Sequence, residues 1–404
     1  MMLRLIRKNP VKLLALTGAT LVGVACSDNT GTDTSKPEAA ASSTTYDAAQ
    51  FDATAKPKFT SEGGATPFRT DKTIPYWSSS FVDPTNNVTY PYTMVGTNPS
   101  SGNVTTTVPS VIIPFRFVFS NGVVMDGAGD VAATIASPIF TDYKFPREFS
   151  GPNEVTQYGD AVYRAQWNKV QTSYHVRLGQ PTVLPTQTIE VPANLGFEFT
   201  GSRGALVGLM DYSWFSTRLQ NAINTLGISP QTVPIVLTHN TMLYIGNPNN
   251  CCIIGYHGAK SALNGNGGQA VQTYIFGSFI TPRTFGGWAA GQDPVQGAGL
   301  GDIHAVSHEV SEWYDDPFVN NYVQPWQDDE FAPQYGCTSI LETGDPVVGI
   351  WFPLDGNPQP GANGKWHPED EVHFSFFARE TPSRAYGGHY TYMDFFDHAA
   401  ENCH

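Results

Sequence analysis

Basic residues are missing from a long stretch of this 404-residue chain: no lysine or arginine occurs between Arg283 and Lys365. The same stretch holds twelve carboxylates, Asp293, Asp302, Glu309, Glu312, Asp315, Asp316, Asp328, Asp329, Glu330, Glu342, Asp345 and Asp355. Charged residues are scarce overall, at 14%, and the net charge of −14 argues against nucleic acid and anionic membrane surfaces as partners. Five cysteines, without paired short spacings, exclude a zinc ribbon. Gly-x-Ser-x-Gly is absent, which removes the α/β-hydrolase nucleophile elbow. "GAGLGD" lacks the lysine of a phosphate-binding loop. No internal repeat is visible.

What is present begins with a targeting segment. Arg4, Arg7, Lys8 and Lys12 precede "LLALTGATLVGVA", an apolar stretch of 13 residues that is too short to span a bilayer. It ends at Cys26 in "VGVAC", which resembles a bacterial lipoprotein signal and implies lipidation of Cys26 in an exported, envelope-anchored protein; an ordinary secretory signal is the second choice. Residues 27–70 are small and polar, as expected of a flexible tether. Export permits disulfides, and Cys251, Cys252, Cys337 and Cys403 are the candidates, with three pairings open.

With 39 glycines and 30 prolines, the composition favours a loop-rich, strand-containing fold. Residues 71–404 read as one folded region of α+β class, divisible into a β-rich part at 71–150 and a core at 151–404. "SVIIPFRFVFSNGVVMDG" predicts a hairpin about an Asn-Gly turn. Val162, Ala165, Trp167 and Val170 are spaced for a helix. "TVPIVLTHNTMLYI" and "AVQTYIFGSFI" read as strands bracketing a Cys-Cys loop, and "EVHFSFFAR" and "GHYTYMDFF" as closing strands.

The chemistry concentrates in "GLGDIHAVSHEVSEWYDDP". Asp302 as N-cap and Pro317 as stop predict a helix from about Ile303 to Tyr314. Its last turn carries Glu312, with Asp315 and Asp316 just beyond, at the end where the peptide dipoles already disfavour anions. A bound cation answers that burden and the missing bases together; a solvated acidic face is the bland alternative. His304, His308 and Glu312 lie one turn apart on one stripe, so one ion takes an adjacent pair. His308 with Glu312 leaves Glu309 beside the first ligand, positioned for proton transfer with a metal-activated water. His304 with His308 would leave Ala305 in that role. His304 is thus a second-shell donor, an alternative ligand or a core histidine.

"HEVSEWYDDP" resembles the His-Glu-x-x-Glu variant of the zincin metallopeptidase helix. With "CTSILETGDP" downstream, it is similar to exported phosphate-induced (exordium-like) proteins. The resemblance implies a zincin-like core at 151–404, one divalent metal held by His308, Glu312 and either Asp345 or Glu342, and Glu309 as general base. Cys337 stands before the acidic cluster, where related proteins tend to carry a cysteine after it. Zinc is the expected ion, with calcium or manganese as alternatives for so carboxylate-rich a site. A peptide or protein substrate would then pair with "QTYIFGSFI" as a sheet edge. The competing expectation is a non-catalytic surface protein with a structural ion. "WHPEDEVH" reads as a solvated turn, with an outer ligand as the alternative. Trp313, Trp326, Trp351 and Trp366 belong either to the core or to a cleft.

Overall fold

The computed structural model describes residues 58–64, 72–145, 155–201, 204–262, 270–285, 288–289, 300–382 and 388–404, all within one compact unit, Ser43–His404. The targeting segment with Cys26 and the tether up to residue 57 lie outside the described residues. Within the stretch expected to be tether, Lys58–Gly63 forms a strand, β1.

A mixed twelve-stranded sheet organises the molecule. Its main strands are β2 (Ser110–Phe119), β3 (Thr182–Val183), β4 (Gly196–Thr200), β5 (Leu206–Asp211), β6 (Val233–His239), β7 (Thr241–Tyr244), β8 (Cys251–Ser261) and β9 (Val271–Phe285), in the spatial order β3-β2-β6-β9-β8-β7-β5-β4. β1 pairs in parallel with β8, from Lys58 opposite Ile253 to Gly63 opposite Ala259. The expected hairpin forms, with Val124–Asp126 antiparallel to β2.

Three helices matter here: α1 (Tyr158–Gln166), α2 (Tyr212–Thr225) and α3 (His304–Asp315). The sheet is covered on both faces, which is why β6 and β9 read as continuous apolar runs. Successive strand residues point to opposite faces. Ile275 and Phe279 join Ile235 and Leu237 in the core that contains Val306, Val310 and Trp313 of α3. Tyr274 and Phe276 join Val236 in the core that contains Phe215, Leu219 and Ile223 of α2.

The α+β, zincin-like expectation with a β-rich N-terminal part is overturned. The chain is strand-rich throughout, and β2 from the supposed N-terminal part pairs directly with β6. A helix motif specifies a helix; it does not specify the sheet beneath it. Local readings fail for the same reason. Cys251 and Cys252 begin β8 and sit in no loop. "EVHFSFFAR" contains a short helix, Phe374–Ala378, and "GHYTYMDFF" contributes one isolated bridge at Thr391. "QTYIFGSFI" is no edge: β9 lies between β6 and β8. The four tryptophans Trp313, Trp326, Trp351 and Trp366 are buried core residues.

Candidate metal centre

Helix α3 reaches the centre because two glycines let it. Gly255 and Gly277 are direct cross-strand partners on β8 and β9. A Cβ on Gly255 would come within 2.8 Å of Glu309 Cγ, and one on Gly277 within 3.0 Å of Val306 Cα. The bare patch seats the helix against the sheet, with Glu309 over β8. The helix starts one residue later than expected, and Asp302 is not its cap. Asp302 instead adopts φ +41° and accepts from Ile303 N (2.6 Å), His367 N (3.0 Å) and Asn357 Nδ2 (2.8 Å). It thereby ties the segment bearing His367 and Glu369 to the start of α3. Ser307 adds a second tie, accepting from Glu369 N at 3.0 Å.

Every residue of α3 is buried. His308 Nε2 lies 3.0 Å from Glu312 Oε1 and 3.8 Å from Asp345 Oδ1. These three residues offer donor atoms within 4.8 Å of one another, positioned to hold a metal ion. Glu342 is not in that group. It joins His257 and Glu312 in a second triad with the same mutual spacing. Glu309 Oε2 lies 3.2 Å from His257 Nδ1, at the edge of both groups. His304 belongs to neither: its Nε2 is 3.0 Å from Glu369 Oε2, which is also 2.8 Å from His308 Nδ1. Glu369 thus stands behind the ligand histidine, where a partner fixes ring orientation and tautomer.

Two residues of this centre were not singled out from the sequence, although an outer ligand from "WHPEDEVH" was the alternative there. His257 is a single histidine in an apolar strand, a pattern that ordinarily marks core. Glu369 belongs to "WHPEDEVH", whose reading as a solvated turn is wrong. His367, Glu369, Asp370, Glu371 and His373 are all buried. The ring of Phe59 in β1 stacks on His308 with centroids 3.4 Å apart. Phe59 N donates to Tyr335 Oη (2.8 Å), and that hydroxyl lies against Asp345. β1 therefore covers the centre.

Hydrogen bonding separates the acids into two kinds. Asp315 accepts from Gln166 Nε2 (2.8 Å), and Asp316 from the backbone of Asn320 (3.0 Å) and Asn321 (3.1 Å). Glu312 Oε1 accepts from Gly344 N (3.1 Å) and Asp345 N (3.2 Å). By contrast, His308 Nε2, Glu309 Oε1, Asp345 Oδ1 and both carboxylate oxygens of Glu342 make no well-formed hydrogen bond among the described residues. Buried polar atoms left that way are costly, about 1–3 kcal/mol each. Burial, followed by the charge of Glu312, pushes Glu309, Glu342 and Asp345 well above the usual carboxylate range. Burial alone pushes Glu312 up to about 8 and holds His308 well below the usual imidazole range. His257 is lowered to about 3, by burial and then by His308. Neutral imidazoles and carboxylates that lack a counter-charge are the donor set a divalent cation stabilises.

No family model matches the chain, and neither does any curated protein or solved structure. Among the described residues no helix is long and apolar enough to cross a membrane. The cysteines pair as Cys251–Cys252 and Cys337–Cys403. The second bond ties the segment leading into Glu342 and Asp345 to the C-terminal end of the chain.

Proposed function

We propose that this chain is an exported, metal-dependent hydrolase of peptide bonds, anchored through Cys26, with zinc as the resident ion. The observation that carries the reading is Glu309: a buried carboxyl beside two triads of ligand atoms, with one oxygen lacking any well-formed hydrogen bond. The ion would supply Lewis acidity toward a scissile carbonyl and its attacking water. His308, Glu312 and Asp345 would hold it. Glu369 would keep the proton of His308 on Nδ1, leaving the Nε2 lone pair for the ion. Glu309 would take a proton from the attacking water and return it to the leaving amine. Burial raises its pKa, the direction that favours returning a proton once one has been taken. An extended substrate would approach along the flank of β8 that β1 now holds.

The test is Glu309→Gln, assayed on a denatured protein mixture with metal content measured in parallel. Retained metal with turnover down about 10²- to 10⁴-fold supports the role. An unchanged rate removes it.

A second reading has its own observation. His308, Glu309 and Glu312 are at most 1% exposed, and Phe59 lies directly on His308. A structural ion in a non-catalytic surface protein fits such enclosure. Chelation that lowers the melting temperature, with no turnover on any peptide, would establish it over the first.

A further inference from the structure

We infer that the centre holds two divalent ions bridged by Glu312, the second bound by His257 and Glu342. The inference rests on the reading of His308, Glu312 and Asp345 as a metal triad and extends it to residues that triad does not use. Glu312 is common to both triads, and its two oxygens face different partners. Oε1 is 3.0 Å from His308 Nε2, while Oε2 is 3.7 Å from His257 Nδ1. One carboxylate so placed is a bridging ligand, with His308 and Asp345 on one side and His257 and Glu342 on the other.

The protonation of His257 supplies an independent reason. Its Nε2 lies 3.1 Å from the carbonyl oxygen of Asp316, and a carbonyl only accepts, so the ring proton belongs on Nε2. That leaves a lone pair on Nδ1, which faces Glu309 Oε2 at 3.2 Å and Glu312 Oε2 at 3.7 Å. A lone pair facing two carboxyl oxygens needs either a proton on one of them or a cation between them, and a cation serves all three atoms at once. Glu342 makes the same demand. It is 5% exposed, its Oε2 lies 3.7 Å from His257 Nε2, on the side of the ring away from Glu309, and neither of its oxygens has a well-formed hydrogen bond among the described residues.

Charge decides between one ion and two. Glu309, Glu312, Glu342 and Asp345 converge here, and among the described residues no lysine or arginine forms an ion pair with any of them. With all four held ionised by metal, one dication offsets half of the charge and two offset all of it. Each triad offers one imidazole and two carboxylates, so the second site takes the same borderline-to-hard class of cation as the first. A pair of ions about 3.5–4 Å apart can clamp both the attacking and the leaving atoms of a displacement.

The test is metal stoichiometry on the full chain, stripped and then titrated with zinc, followed by elemental analysis after desalting. Two equivalents are expected for the wild type. Loading with Mn²⁺ should give the electron-paramagnetic signature of a spin-coupled pair. Glu342→Gln, which preserves volume, and His257→Ala should each bind one equivalent and lose the coupled signal. One equivalent in the wild type, with an uncoupled Mn²⁺ spectrum, overturns the two-ion centre while leaving the single-ion reading intact. No bound metal at all overturns both. The wild-type count needs no variant, so a substitution that fails to fold leaves the decision unaffected.

Discussion

Glu369→Gln is the most searching single substitution, because it touches no proposed ligand atom. Glu369 Oε2 lies 2.8 Å from His308 Nδ1 and 3.0 Å from His304 Nε2, and the residue is fully buried. In the native arrangement the Nδ1 proton is donated to a carboxylate, so Nε2 presents its lone pair toward Glu312 and Asp345. Glutamine keeps the volume and can still accept through its carbonyl oxygen. It removes the negative charge that raises the ring's basicity, and its amide group can instead face Nδ1 and favour the wrong tautomer. Loss of such a partner weakens metal affinity about 10- to 100-fold, which corresponds to about 1.4–2.8 kcal/mol. A competition titration against a chromophoric chelator reads this directly. Asp370→Asn is the control, since Asp370 accepts from Met393 N and Glu371 N and faces neither histidine. Equal affinities for Glu369→Gln and the wild type would refute the assignment of Glu369 as the group that orients His308.

Three further perturbations probe the surroundings. Gly255→Ala places a methyl 2.8 Å from Glu309 Cγ and Oε1 on the patch that seats α3; turnover should fall at least as far as metal content, and full turnover in this variant would count against the role of Glu309. Phe59→Ala removes the ring stacked on His308; burial loss of this kind costs up to about 3–5 kcal/mol, and a chelator should then strip the ion faster than from the wild type, with identical stripping rates showing that β1 does not guard the centre. In chelator, stability should fall as pH rises. Glu312 and Asp315 are raised by burial to about 8, and Asp316 to about 7, so the folded state holds protons that the unfolded chain releases from about pH 4 upward. Their contribution is complete below that pH and lost as pH climbs through 7 to 8; of the three, only Glu312 is a proposed ligand, and a bound cation keeps it ionised throughout, so the zinc-dependent difference comes from Glu312. Melting curves from pH 5 to 9 should therefore show the stabilisation by added zinc widening with pH; a constant gap would refute the argument.

What the sequence disclosed and what it hid divides along chain distance. The helix, its stop at Pro317 and the pairing of His308 with Glu312 all follow from i, i+4 geometry, which is local. Glu342 and Asp345 were implied by the resemblance to exordium-like proteins, through the acidic motif "CTSILETGDP" downstream of the helix. Their division between two triads was not, since it depends on which side of Glu312 each approaches. His257 reaches the centre only because β8 pairs with β9 and turns that ring toward α3, a register that no local pattern announces. Glu369 was hidden by composition. Three acids between two histidines look solvated until Asp302 and Ser307 are seen drawing that segment down onto the helix. The zincin-like expectation failed for a related reason: the motif constrains one helix of 12 residues, whereas the architecture is set by strand pairing across a twelve-stranded sheet.

The acid-laden helix end also shows where a charge argument needs refining. Taken together, the carboxylates near the C-terminus of α3 seemed to demand a cation as a group. Atom by atom, the demand is narrower. Asp316 accepts from two backbone amides with its two oxygens, and Asp315 accepts from a glutamine with one. Asp316 would remain satisfied in a protein with no metal at all. At the two triads and beside them, His308 Nε2, Asp345 Oδ1, one oxygen of Glu309 and both oxygens of Glu342 lack a well-formed hydrogen bond. They converge from α3 and from the loop that follows it, and the ring of His257 on β8 completes the enclosure. Convergence of unserved donor atoms, and not the sum of negative charge, is what singles out a metal centre here.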